Sequence, residues 1–293
     1  MRAWAVLFIF GLAIATAVIA WLGFGTVLET VREAGWGVML LIPVYLLPLA
    51  LASSSWRLLF RRGQRFGLHT AAAPVWLGLA VNWLLPVGQV GGEIVKARWA
   101  ARRGIPGPEA AASVIADKTL QVVTQVLFAL IGIALLAWLS TDRGVIVGAA
   151  AGTGVFVAGV IGFIILQRRG MVRLSTALAR KAVQRLRHND GLDANASRFD
   201  DALKQVYADR GSLILAGVYR MAFRFALVIE TVIILDLLGH PVGLAEVIAL
   251  EALGQTVRAG AFLIPAGIGV QEGAFAALAV ALGIPAPVGL SVS

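Results

Sequence analysis

The chain has 293 residues, 59% of them hydrophobic and only 14% charged, with a mean hydropathy of +0.86 and a formal net charge of +9. No soluble domain of this length can carry so much apolar surface under so few charges, so the composition excludes a soluble globular protein and requires a membrane. Cysteine is absent, which excludes a disulfide framework and a thiolate metal site.

In chain order, Ala3 to Leu28 is the first charge-free run, and it exceeds the roughly 20 residues needed to cross a ~30 Å hydrocarbon core as helix. Met1-Arg2 and Ala15-Thr16-Ala17 imitate a signal peptide. A signal's apolar stretch, however, runs about 7 to 15 residues, and this one continues to Gly23, so residues 1–35 read as an uncleaved spanning helix. Ala34 to Trp56 predicts a helix over 36–58, Thr119 to Thr141 one over 108–140, and Gly144 to Gln167 another. These runs are too long and too uniformly apolar for β-barrel strands, which alternate. Two further apolar stretches, within 70–103 and 243–283, are broken by Pro and Gly and read as re-entrant helical hairpins.

Residues 167–210 form the only large polar region. Met171, Leu174, Leu178, Ala182 and Leu186 recur at helical spacing among arginines, so 168–187 predicts an interfacial helix on anionic lipid. Spanning neighbours and five acidic residues among 190–210 argue against nucleic acid as the partner. A helix over 211–238 follows, then the second hairpin, then a helix starting near Pro287.

The two hairpins share a motif. Leu84, Pro86, Gly88, Glu93, Gly104, Ile105, Pro106 and Pro108 recur 179 positions later, without a gap, as Leu263, Pro265, Gly267, Glu272, Gly283, Ile284, Pro285 and Pro287. Interrupted apolar segments at corresponding positions of two halves mark transporters built from repeats around a midplane site. With both hairpins re-entrant, 19 of the 25 lysines and arginines fall on one side, which the positive-inside bias makes cytoplasmic, together with the N-terminus. Three spanning segments then separate the hairpins, so one opens to the cytoplasm and the other to the exterior. The expected fold is an all-α membrane protein with an inverted repeat: repeat A over 36–140, a linking segment over 141–210, and repeat B over 211–293. By that correspondence the final helix has barely begun at Ser293, which predicts that the natural protein continues or that the chain is truncated.

Candidate chemistry lies at membrane depth. Asp117, Gln121, Thr124 and Gln125 share one helical stripe beside Lys118. A charge there costs at least about 2.5 to 3.5 kcal/mol, so the stripe must face protein or a cavity; mutual neutralisation of Asp117 and Lys118 is the simpler alternative. Arg220 and Arg224 stand one turn apart with Glu230 beyond, able to grip an anionic headgroup or merely to pair with carboxylates. Glu251, Gln255 and Arg258 form a third stripe. In the hairpins, Gly88, Gly92, Gly267 and Gly269 permit close backbone approach around Pro86 and Pro265, while Glu93 and Glu272 either cap the next helix or take up a cation or proton. His69, His188 and His240 lie far apart, GxxxxGK[ST] is absent, and no Ser/His/Asp set shares a face, so no metal, cofactor or ATPase is expected.

Pro265-Ala266-Gly267-Ile268-Gly269-Val270-Gln271-Glu272-Gly273, preceded by Glu251-Ala252-Leu253-Gly254-Gln255, resembles the flippase-like family named after the transmembrane region of lysylphosphatidylglycerol synthase. Gly91-Gly92-Glu93 with Lys96 and Arg98, and Asp117-Lys118, extend the likeness, which is greatest to the membrane proteins associated with hopanoid biosynthesis. The resemblance implies a multi-pass protein of the bacterial inner membrane that moves a lipid between leaflets, whether hopanoid, other polyisoprenoid or anionic phospholipid. The cytosolic transferase domain of the family's bifunctional members is absent from the sequence, so aminoacylation is not implied. A non-transporting scaffold of a lipid-synthesis complex and a membrane enzyme acting on lipid phosphates are the alternatives, and association with itself or with a lipid-synthesis partner stays open.

Overall fold

The computed structural model describes residues 37–84, 91–139, parts of 143–161, 190–260 and 270–293, and all secondary structure among them is helical. In chain order the helices are α1 (Val38–Leu58), α2 (Leu68–Leu84), α3 (Gly91–Arg102), α4 (Gly107–Leu139), α5 (Asp190–Ala208), α6 (Arg210–Leu237), α7 (Leu244–Gly260), α8 (Val270–Ala281) and α9 (Ala286–Val292). A short 3-10 turn, Arg62–Gln64, joins α1 to α2. The interfacial helix expected over 168–187, and Pro86, Gly88, Pro265, Gly267 and Gly269 at the hairpin tips, lie outside the described residues.

α1 and α4 are long and apolar enough to cross a bilayer, and only a third of each hydropathic window is buried within the protein. Met39, Ile42, Trp76, Leu130, Trp138 and Ile214 are exposed, an apolar exterior suited to lipid rather than water. At 1.5 Å per residue, α4 with its 33 residues runs about 50 Å, so it projects beyond the hydrocarbon core.

Two three-helix units, α1–α3 and α6–α8, have second and third helices of matching length. α2 and α7 are each 17 residues long, and α3 and α8 are each 12. Both short helices end at a glycine in the left-handed region, Gly104 at φ +88° and Gly283 at φ +76°, where a side chain would be strained. The next amide closes each end in the same way, Ile105 to Ala100 at 3.3 Å and Ile284 to Ala279 at 2.8 Å. Within the first unit, α2 and α3 pack so closely that a Cβ on Gly92 would stand 2.2 Å from the Gly78 carbonyl oxygen. The Gly92 amide donates to Asn82 Oδ1 at 2.8 Å, which satisfies a donor at the start of α3.

α1 and α6 form the central seam and run antiparallel. Gly37 at the start of α1 lies against Leu237 at the end of α6, while Ser55 near the end of α1 donates to the Ala216 carbonyl near the start of α6 at 2.9 Å. Two apolar cores flank this seam. Trp56, Phe60, Ile105, Val114 and Ala216 lie in one, with Phe66 and Trp99 packed edge-on at its border. The other contains Phe128, Val228, Leu235, Leu250 and Phe275. α5 was not legible as a helix in the sequence. Its Leu203 and Val206 pack on the first core, and Arg61 donates to Gln205 at its far end. Asp209 then caps α6, accepting from the Ser212 amide and hydroxyl at 3.1 and 2.8 Å, bonds that hold its carboxyl below the usual range.

Candidate functional site

Between the two cores, at mid-height of α4 and α6, lies a belt of buried polar side chains. Along α4, Val114 and Ala116 belong to the first core and Phe128 to the second, with Asp117, Gln121, Thr124 and Gln125 in between. Along α6, Arg220 and Arg224 occupy the same interval between Ala216 and Val228.

Asp117 is fully buried. Arg220 grips it with Nε to Oδ1 at 2.9 Å and Nη2 to Oδ1 and Oδ2 at 2.5 and 2.6 Å. Lys96 from α3 donates to Oδ2 at 2.8 Å and Gln121 adds a bond at 3.1 Å. Lys96, 5% exposed, also pairs with Glu93 one turn earlier at 2.5 Å. Lys118 reaches the other Glu93 oxygen at 3.2 Å. Five charges thereby lock α3, α4 and α6 together. Each would be strongly unfavourable buried alone; arranged this way, every ion meets an opposite one.

Arg224, one turn beyond Arg220, is placed differently. Its Nη2 donates to the Gln121 carbonyl at 3.0 Å, but its Nε is buried with no hydrogen-bond partner. Across from it on α7, Glu251 is 5% exposed and its Oε2 is likewise buried without a partner. Gln255 bonds the Glu251 carboxylate, and Glu230, Arg224 and Arg258 are its charged neighbours. Arg258 in turn feels Tyr45 and Glu272. Gln125 ties α4 to α7, donating to Thr256 Oγ1 at 2.9 Å and to the Ala252 carbonyl at 3.3 Å. Gly132 admits this approach, since a Cβ there would stand 2.7 Å from that of Ala252.

The structure therefore brings the sequence-derived residues into two adjoining groups. Asp117, Lys118, Gln121, Arg220 and Glu93 form the first, with Arg220 and Lys118 both engaged by carboxylates. Arg224, Glu230, Glu251, Gln255, Arg258 and Glu272 form the second. Gly92 belongs to the α2–α3 contact. Lys96 entered the sequence reading through the family likeness and not as a site residue, and Asn82 and Tyr45 escaped it. For Lys96 a signal existed, because its spacing of three from Glu93 is that of a helical ion pair. No group of three His, Asp or Glu side chains disposed to hold a metal ion occurs among the described residues.

The model of one protein family, described as the lysylphosphatidylglycerol synthase TM region, matches residues 8–293. No curated protein and no solved structure gives a significant match. A family match over nearly the whole chain agrees with the exposed apolar exterior and the buried ionic belt: the chain belongs to the lysylphosphatidylglycerol synthase transmembrane-region family, a family of membrane proteins related to lipid handling.

Proposed function

We propose that this protein moves a lipid between the leaflets of the bacterial inner membrane, its headgroup passing the polar belt while its tails stay in the bilayer. The observation that carries this reading is the pair of unsatisfied, buried polar atoms at mid-height, Arg224 Nε and Glu251 Oε2, enclosed by helices whose outer surfaces are exposed and apolar. Uncompensated polar atoms at that depth are costly, and a passing polar group would compensate them. Membership of a lipid-handling family supports the same reading. A hopanoid or other polyisoprenoid lipid is the preferred cargo from family resemblance.

In this proposal the two three-helix units are an inverted repeat and their hairpins are re-entrant from opposite faces. Support comes from the equal helix lengths, the paired left-handed glycines and the antiparallel seam of α1 and α6, the arrangement expected of equivalent helices related by an axis in the membrane plane. Cysteines introduced at Arg62 and His240 label from opposite sides of the membrane if this is right, and from one side if it is wrong.

Transport itself is tested in proteoliposomes carrying a fluorescent lipid whose outer-leaflet population is quenched from outside. The parent protein is expected to expose the inner-leaflet population over time, and Arg224→Leu, folded to the same thermal stability, is expected to lose that activity. A parent protein that never exceeds protein-free liposomes for any lipid offered would favour the scaffold.

A further inference from the structure

Resting on the transport reading, the site also bears on what kind of headgroup it takes. Two arginines at mid-height suggest an anion, but the charges around them point elsewhere. Arg220 is held by Asp117 through three bonds from its Nε and Nη2, and its charge is matched there. Across both groups the cations are Lys96, Lys118, Arg220, Arg224 and Arg258, and the carboxylates are Glu93, Asp117, Glu230, Glu251 and Glu272. Five oppose five, so the formal charges of the belt leave no positive excess to draw an anion inward.

What the second group does hold is one unfilled donor and one unfilled acceptor on neighbouring helices. Arg224 Nε can only donate, and Glu251 Oε2 has lone pairs that no donor fills. The two residues are electrostatic neighbours yet form no ion pair of their own. A hydroxyl group both donates and accepts, and it carries no charge that must be stripped of water on entry. An ammonium or phosphate would bring that desolvation cost with it. We therefore propose that Arg224 and Glu251 form a headgroup site for an uncharged, hydroxylated lipid, a sugar or polyol headgroup. Its access is from the bilayer: Phe225 and Ile229 on α6 and Val257 on α7, close in sequence to the site residues, are all exposed apolar side chains.

The test is competitive. The purified protein in nanodiscs is offered equal amounts of monoglucosyl diacylglycerol, phosphatidylglycerol and phosphatidylethanolamine, and the retained lipid is read by native mass spectrometry. The glucosyl lipid is expected to be enriched about tenfold over the other two, the scale on which one buried donor or acceptor left unsatisfied discriminates. Glu251→Gln, whose carbonyl still accepts from a hydroxyl, is expected to keep most of that enrichment, and Arg224→Leu to abolish it. Preferential retention of phosphatidylglycerol overturns the proposal. So does retention of phosphatidylethanolamine that Glu251→Gln removes, since that pattern belongs to an ammonium ion. Because the parent protein's preference is the primary reading, a variant that fails to fold leaves the test decisive. Glucosyl-lipid enrichment without any leaflet exchange would refute transport and keep this site; leaflet exchange with enrichment of phosphatidylglycerol would do the reverse.

Discussion

The hairpin of α2 and α3 and the hairpin of α7 and α8 have the same helix lengths and the same glycine-terminated ends, yet they hold themselves in opposite ways. Lys96 of the first stands where the second has Phe275, 179 residues on. Lys96 is pinned between Glu93 and Asp117, whereas Phe275 is 2% exposed and pressed against Gly254, where a Cβ would meet its ring at 2.3 Å. One hairpin is anchored by ions that satisfy one another, the other by an aromatic ring in an apolar core. The carboxylate common to both, Glu93 and Glu272, thus has a different environment in each half. Beside the second hairpin, Arg224 Nε and Glu251 Oε2 are both buried without a hydrogen-bond partner. Two pairs of helices alike in length and in their glycine-terminated ends can thus be held by different forces, ions in one and an aromatic ring in the other.

Arg220 and Arg224 offer the sharpest way to break this comparison, being one turn apart on the same helix. Arg220→Leu leaves Asp117 short of its main partner inside the protein, which is expected to cost about 3–5 kcal/mol. Arg224→Leu removes one bond to a carbonyl and one orphaned donor, and is expected to cost about 1 kcal/mol or less. Reversible unfolding of both variants in the same detergent measures the gap. Equal losses would mean that the ionic lattice and the second group are one structural unit. A second contrast concerns the close glycine contacts. Gly92→Ala drives a methyl against the Gly78 backbone, Gly254→Ala against the Phe275 ring. Overpacking costs about 1–3 kcal/mol; Gly92→Ala is expected at or above the top of that range, because backbone cannot turn aside, and Gly254→Ala within it. A reversed order in the same unfolding measurement would show the second hairpin to be the more tightly built.

Much of this architecture was legible before any coordinates. Helix bounds at α1, α4 and α6 fall within a residue or two of the expected ones, because charge-free runs and the Pro/Gly breaks at Gly104-Ile105-Pro106 and Gly283-Ile284-Pro285 are strong signals. α5 was not legible: its apolar residues are few, and they make sense only against the core that α1, α4 and α6 supply. The stripe of Asp117 and Gln121 could be read from spacing alone. Its partner could not, because Lys96 reaches Asp117 through the packing of α3 on α4, and Lys96 taken alone looks like one more basic residue in an arginine-rich segment. The division between Arg220 and Arg224 was equally hidden, since a helix turn gives both the same face and only the register of α6 against α4 and α7 separates them.

The paired glycines sharpen the comparison from the side of likeness. Gly104 and Gly283 both have a positive φ, and nothing lies within 4 Å of a Cβ at either, so alanine would meet conformational strain alone. Gly104→Ala and Gly283→Ala are each expected to cost about 1–2 kcal/mol, and the same amount. Unequal losses would mean that the two ends, alike in dihedral angle, differ in how firmly the surrounding helices hold them.

The smallest expected effect separates the helices that open the two units. α1 begins at Gly37 with no side-chain cap, whereas α6 begins at Asp209, whose carboxylate accepts two bonds from Ser212. Those bonds hold the Asp209 carboxyl below its ordinary value, with lesser help from Arg62 and Arg65. A group whose folded pKa is depressed contributes stability that is present above its unfolded value, about 3.9 for Asp, and is lost as pH falls through the folded value. The parent protein should therefore lose stability on acidification through this cap, and Asp209→Asn should lose less, because the carboxamide oxygen still caps the helix but does not titrate. The cap is exposed and the difference will be small, so the informative quantity is the change in melting temperature between pH 6 and pH 3, compared for the two proteins in one detergent. Identical acid slopes would show that Asp209 is not anchoring the start of α6, and the two units would then open alike.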